Sequence, residues 1–194
     1  RQKVLDNIDD AMKNIGFMSI INHGVPKQLI ERMEKTGKDF FYLPSDVKMS
    51  IASKKWNAEN ENRYRGYIPA SVFGKECWDI ADPCRVERED PDCYLTEMNK
   101  YPDAVTESDR ATITEYFTTL HKLTTKLVKA VYTIYGQDPN EVGVNAITHI
   151  VQKCQITACY TMVYVYPSLW TKLLNKSFVC NAVTTLRDEN IHGI

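Results

Sequence analysis

Several common protein classes are excluded by what this sequence lacks. It has no excess of positive charge: 24 Lys and Arg stand against 25 Asp and Glu, a net charge of -1. No Lys/Arg cluster stands out locally either, so neither nucleic acid nor an anionic membrane is an expected partner. No C-x-x-C pair occurs among Cys77, Cys84, Cys93, Cys154, Cys159 and Cys180. A chain of 194 residues is also too large to need disulfides for stability, so these read as reduced thiols in a cytoplasmic protein. The longest apolar run, Ile156 to Trp170, is interrupted by Pro167 and is too short to span a bilayer. Acidic residues are missing altogether between Asn145 and Arg187, although the rest of the chain carries all 25. Arg1 is not an initiator methionine, so the natural start is expected upstream of it.

What remains is ordinary for a single globular unit, with 43% hydrophobic and 25% charged residues. Val4, Ile8, Met12 and Ile15 recur at helical spacing, which predicts a helix near 3–14 stopped by Gly16. Phe17-Met18-Ser19-Ile20-Ile21 is rich in β-formers and reads as a buried strand near 17–22. Gly24 suits the positive φ of a tight turn, and Pro26 the first turn of the next helix. That helix, near 27–42, carries Leu29, Ile30, Met33, Gly37, Phe40 and Phe41 on one side and ends near Leu43-Pro44. Ser45 is expected to cap a short helical piece, and Asn57 to Asn62 reads as a loop.

From Glu76 to Asp109 acids outnumber bases, but at no ligand spacing, so a solvated face is expected there rather than a metal site. Thr106-x-x-Asp109 forms a capping-box start for a long helix near 109–135. Its stripe is Ile113, Tyr116, Phe117, Leu120, Leu123, Leu127, Val131 and Ile134, closed by Gly136. Asp138-Pro139 is expected to open one more helical turn, after which the loss of acidic residues marks a segment of different character and poor definition after about 145.

Five blocks then occur in a particular order. They are Gly16 to Pro26, the amphipathic helix leading to Phe40-Phe41-Tyr42-Leu43-Pro44 and Lys48, Arg65-Gly66-Tyr67-Ile68-Pro69, Gly74-Lys75-Glu76 with Asp79-Ile80, and a long helix ending Ile134-Tyr135-Gly136. Over about residues 1–140 this order resembles the N-terminal region of the Fe(II)/2-oxoglutarate-dependent dioxygenases, in their isopenicillin N synthase-like branch. The resemblance implies an α+β fold: a helix-rich N-terminal region of a double-stranded β-helix, or jelly-roll, oxygenase. It implies residues 1–144 as that region, and 145–194 as an atypical or incomplete segment leading toward the jelly roll. Asn181 to Arg187 is similar to the family's entry into the first jelly-roll strand.

In that family the iron is held by two histidines and a carboxylate, written H-x-D and a later His, and an Arg of an R-x-S motif forks onto 2-oxoglutarate. None of His23, His121, His149 and His192 is followed two residues later by Asp or Glu, and no R-x-S occurs. No catalytic residue, no metal ligand and no cofactor is therefore expected in this chain, whereas Fe(II) and 2-oxoglutarate are expected in a complete family member. The chain reads as a fragment, an incomplete gene product or an alternative transcript of such an oxidoreductase. The alternative is a non-catalytic truncated product that acts as a partner-binding module.

Individual residues divide between functional and structural readings. His23 sits in a turn and is expected to be structural, and His121 to be a packing or surface residue of the long helix. His149, Cys154 and Cys159 are spaced by five and fit no zinc pattern. Asn175-Lys176-Ser177 matches a glycosylation sequon by chance. Arg65 and Tyr67 are the candidate substrate-binding residues, since the block they resemble lines the active-site mouth. The Arg would clamp a carboxylate and the Tyr would donate one hydrogen bond to a small-molecule substrate. The competing reading makes Gly66-Tyr67 a turn with a packing aromatic, and pairs Arg63 or Arg65 with acids downstream.

Overall fold

The computed structural model describes residues 2–15, 18–70, 76–87, 92–93, 96–140, 155–159 and 162–164. Helix α1 (Gln2–Asp10) passes into a π-helical turn at Ala11–Ile15, and Met12 is the side chain that this first element buries. Met12 packs on Val131, with Ile8, Met18 and Tyr135 around them. Helix α2 (Lys27–Phe41) buries Leu29, Met33, Thr36, Gly37 and Phe40. Its outer side holds the pairs Lys27–Glu31, Lys38–Glu34 and Lys35–Asp39, each four residues apart and solvent-exposed, worth a few tenths of a kcal/mol at most. Pro26 lies one place before the predicted first turn, as an extended N-cap whose carbonyl accepts from the Leu29 and Ile30 N–H groups.

Helix α3 (Ser45–Met49) follows, and here the expectation needs correction. Pro44, not Ser45, is the N-cap, and Ser45 already has helical geometry. A proline at the cap fixes φ and gives up no hydrogen bond, so the polar side chain is not needed. The long helix α4 (Glu107–Ile134) begins with the full capping box: the Thr106 hydroxyl accepts from Asp109 N–H, and the Asp109 carboxylate accepts from Thr106 N–H. The Thr106 hydroxyl, then the Thr106 N–H and the Thr36 hydroxyl, hold the Asp109 carboxyl below its ordinary range. At its other end Gly136, at φ 69°, and Gln137 close a reverse turn by donating to Thr133 and Tyr132 carbonyls.

Strands β1 (Gly66–Ile68) and β2 (Cys77–Asp79) pair antiparallel, with Tyr67 opposite Trp78. Ala52 bridges to Tyr67 from the other side, in parallel, through Tyr67 N–H to Ile51 O at 3.1 Å. One apolar cluster joins these elements: Leu29, Met33 and Phe40 from α2, Ile113 and Tyr116 from α4, and Ile51, Tyr67, Trp78, Ile80 and Val105 from between them. Phe40 stacks on Trp78 at 3.9 Å, so helix and hairpin share an aromatic centre.

The strand expected near 17–22 is not formed over its described part: residues 18–22 carry no strand, and Ile21 is 82% exposed. A strand exists through its partner's hydrogen bonds, and no described strand lies beside this segment. Of the region past 145, the described residues form a second antiparallel pair, β3 (Gln155–Cys159) and β4 (Met162–Tyr164). The expected stop at Gly16, the turn opened at Asp138-Pro139 beyond residue 140, the boundary at 144/145, and the readings of His149, Cys154, Asn175 to Ser177 and Asn181 to Arg187 lie outside the described residues. No helix among the described residues is long and apolar enough to cross a membrane.

At Gly66 the hairpin runs close against the backbone of Ile51, just past α3. The φ of Gly66 is 118°, and a Cβ there would run into the Ile51 carbonyl oxygen. Gly66→Ala therefore combines left-handed strain with a backbone clash, and is expected to lower unfolding free energy by at least about 2 kcal/mol. Denaturant titration of the purified variant measures this; a loss within about 0.5 kcal/mol would contradict the close approach.

Candidate functional site

The hairpin that carries Arg65 and Tyr67 is built on buried charge. Arg65 is 1% exposed, and its guanidinium pairs with Asp79, itself 3% exposed, at the end of β2. Register explains the meeting. Gly66 lies opposite Asp79, so the residue just before β1 reaches the carboxylate across the ladder. Desolvating both ions is costly, and such a pair persists only where further hydrogen bonds complete it.

Glu97, also 1% exposed, is a third buried charge beside this pair and is held by the backbone rather than by the guanidinium. Its carboxylate accepts three consecutive backbone N–H groups, from Arg63 at 2.7 Å and from Tyr64 and Arg65 at 3.0 Å each. Successive N–H groups converging on one anion form an anion nest, filled here by the chain's own side chain. Nearby, Asn62 donates to the Met98 carbonyl, and the Asn99 amide both accepts from Ala81 N–H and donates to Ala81 O. The segment 97–99 is thus fastened to both sides of the hairpin entirely by side chains.

Tyr67 is 2% exposed and packs edge-on against Phe40. Burial first, then the nearby Glu76 carboxylate with which it hydrogen-bonds, push its hydroxyl up to about 12. Glu76 accepts from Lys48 Nζ at 2.7 Å, and the same ammonium donates to Phe41 O and lies 5.4 Å from the Tyr67 ring centroid. Lys48 thereby ties the C-terminal end of α2, helix α3 and the hairpin at one point.

The two candidate residues are therefore brought together, both buried, and both engaged by carboxylates of the chain itself. The reading of residues 76–109 as a solvated face is corrected at Asp79 and Glu97, which are among the most buried polar groups described. Composition could not separate them from their exposed neighbours. A local signal existed for Asp79, which sits in the apolar run Trp78-Asp79-Ile80, where an acid needs a partner; none existed for Glu97.

His23 has a structural role, its Nδ1 accepting from Val25 N–H at 3.1 Å. His121 lies half-buried in α4. Among the described residues no three His, Cys, Asp or Glu side chains converge on a point that would hold a metal ion.

Asp79→Ala strands a buried guanidinium and is expected to cost about 3–5 kcal/mol, whereas the double change Arg65→Met with Asp79→Leu is expected to cost much less. Denaturant midpoints decide it: equal losses would mean the pair is not desolvated. For Tyr67, a folded-state value above the ordinary ~10 stabilises the fold fully below that pH. This contribution is lost as pH rises from there through about 12. Tyr67→Phe should flatten the alkaline decline in stability over that window, read from midpoints measured at successive pH values.

Comparison with known proteins bears on this region. A family model described as the N-terminal region of non-haem dioxygenase in morphine synthesis matches residues 1–104. A flavonol synthase/flavanone 3-hydroxylase of Solanum tuberosum is 31% identical over 77 residues, 40% of this chain and 22% of that protein. The 2-oxoglutarate-dependent dioxygenase tropC of Talaromyces stipitatus is 26% identical over 147 residues, 71% of this chain and 43% of that protein. The chain thus spans less than half the length of either relative. Among solved structures, a C-terminally truncated Neurospora crassa protein in apo form superposes with a TM-score of 0.57 at 18% identity. That match covers 84% of this chain and 60% of the other. The full-length Neurospora crassa protein in complex with alpha-KG gives 0.56 at 18% identity, over 72% of this chain and 40% of the other. The buried hairpin and its capping helices lie in a region whose sequence is diagnostic, and by that match over more than half its length the chain belongs to the non-haem, 2-oxoglutarate-dependent dioxygenase family, as its N-terminal region.

Proposed function

We propose that this chain is the supporting N-terminal part of an iron- and 2-oxoglutarate-dependent oxidoreductase whose complete form oxidises a small molecule. The observation that carries the proposal is the family match over residues 1–104, which contains the whole Arg65–Asp79–Glu97 and Lys48–Glu76–Tyr67 arrangement. In a complete enzyme the bound iron and 2-oxoglutarate would supply the oxidising chemistry. The described residues do not fit that metal. His23 accepts from a backbone N–H, and Asp79 and Glu97 are saturated by Arg65 and by the three-amide nest. No imidazole approaches either carboxylate to form a ligand group. The donor set must come from elsewhere in a working enzyme, and no step of the reaction is assigned to these residues.

Two tasks suit this region instead. It covers one side of a catalytic domain with a preformed apolar core, and it holds the β1–β2 hairpin in one orientation so that its rim is fixed where substrate would enter. Arg65 and Tyr67 act as positioning residues in this reading: the guanidinium is spent on Asp79 and the ring on Phe40, which leaves the hairpin's shape as their contribution to substrate binding.

The test is an assay of the purified chain with Fe(II), ascorbate and 2-oxoglutarate. The expected result is no succinate above the protein-free control and no iron-dependent charge-transfer absorption on anaerobic addition of Fe(II) and 2-oxoglutarate. Stoichiometric iron binding with succinate release would overturn the supporting-region reading.

A further inference from the structure

At the start of α4, beside Tyr101, whose ring packs edge-on against Trp78 of β2, stands a cation with no ion-pair partner among the described residues. Arg110 lies in the first turn of α4, where the partial positive charge of the helix end disfavours a further positive charge. It is half-buried, held with its guanidinium carbon 5.0 Å from the centroid of the Tyr101 ring. Its Nε is fully buried and has no hydrogen-bond partner. Of the acids around it, Glu107 stands exposed in the same groove, and the other two are engaged elsewhere. Asp109 is taken by Thr106 and Thr36, and Glu115 by Arg32 at 2.7 Å. The Arg110 Nε is closed to solvent, so a ligand in the adjoining groove would meet the terminal N–H groups of the guanidinium and not Nε.

Arg110 borders an open surface groove whose lining includes Pro83, Tyr101, Glu107, Thr114, Glu115 and Lys122. Two wall hydroxyls already donate within α4, Thr114 to the Arg110 carbonyl and Thr119 to the Glu115 carbonyl. Two cations remain, the Arg110 guanidinium and the Lys122 ammonium, and of these the guanidinium lies against the Tyr101 ring, with Pro83 also in the groove wall. Glu107 also lines the groove and disfavours polyanions, so a ligand with one anionic group seated at Arg110 suits the charge pattern.

The geometry points to a carboxylate-binding site in which Arg110, stacked on Tyr101 at the groove's edge, forks onto the carboxylate of a small organic acid whose apolar part lies on Tyr101 and Pro83. A planar guanidinium presents two parallel N–H groups to such an oxyanion, and stacking pre-orients it. Phosphate shares this chemistry and forms the comparison arm of the test. The site does not depend on the iron- and 2-oxoglutarate-dependent reading, and its failure would leave that reading untouched.

The experiment titrates the intact chain with benzoate, benzamide, inorganic phosphate and sodium chloride at matched ionic strength. Thermal midpoints and the Arg Nε–H resonances in a nitrogen-15 NMR spectrum are followed. Benzoate is expected to raise the midpoint and to shift one Arg Nε–H signal saturably, while benzamide and chloride do neither. Arg110→Gln is expected to remove that signal and weaken benzoate binding about tenfold or more, the loss of one charge-assisted fork. The variant loses the Tyr101 contact, so its own ligand-free midpoint is the baseline against which its benzoate response is read. Arg110→Lys, which keeps the charge without the fork, should fall between them. A saturable response to phosphate alone would overturn the carboxylate assignment. No oxyanion response beyond that of chloride, or an equal response in Arg110→Gln, would overturn the site.

Discussion

Burying the Arg65 guanidinium constrains the rest of this structure. A charge with 1% exposure needs a carboxylate, and Asp79 supplies it from across a three-residue ladder. Such a ladder is too short to hold itself together. Its stability is borrowed: Ile51 and Ala52 flank Tyr67 on one side, Phe40 stacks on Trp78, and Glu97 gathers the three N–H groups that lead into β1. Removing either ion would leave the other stranded among those neighbours, so hairpin, α2 and the 97–99 segment are held by one electrostatic requirement.

The same logic spreads outward through Lys48. Its ammonium sits between the Phe41 carbonyl and the Glu76 carboxylate, close to the face of Tyr67. The helical layer is thus joined to the hairpin at two depths, by aromatic stacking in the core and by a shielded ion pair nearer the surface. Arg110 lies outside this network. It is half-buried and has aromatic support, as the buried Arg65 and Lys48 do, but no carboxylate among the described residues pairs with it.

Much of the helical frame was legible beforehand. The apolar stripes of α2 and α4 have the 3.6-residue period, and Thr106-x-x-Asp109 and Gly136 mark the ends of α4 by local chemistry alone. The block Arg65-Gly66-Tyr67 was also visible, and with it the family. For Arg65 and Tyr67 two readings stood open, a substrate clamp or an internal ion pair with a packing aromatic; residue type alone could not choose between them, and the structure has the internal contacts. The segment around Ile21 was misread for a related reason: β-propensity describes a surface ready to pair, and pairing needs a second strand in reach.

The sequence by itself determined the extent of α2 and α4 and that no histidine stands in an H-x-D motif, because these rest on neighbours within a few positions, and the order of its blocks carried the family resemblance. Only the tertiary structure decided which acids are buried. Asp79 and Glu97 are separated from Arg65 by 14 and 32 residues, and nothing in their local surroundings distinguishes Glu97 from the solvated acids beside it. Burial of a charge is a property of the packed chain, since its energy depends on the partners and the water that folding brings near or removes.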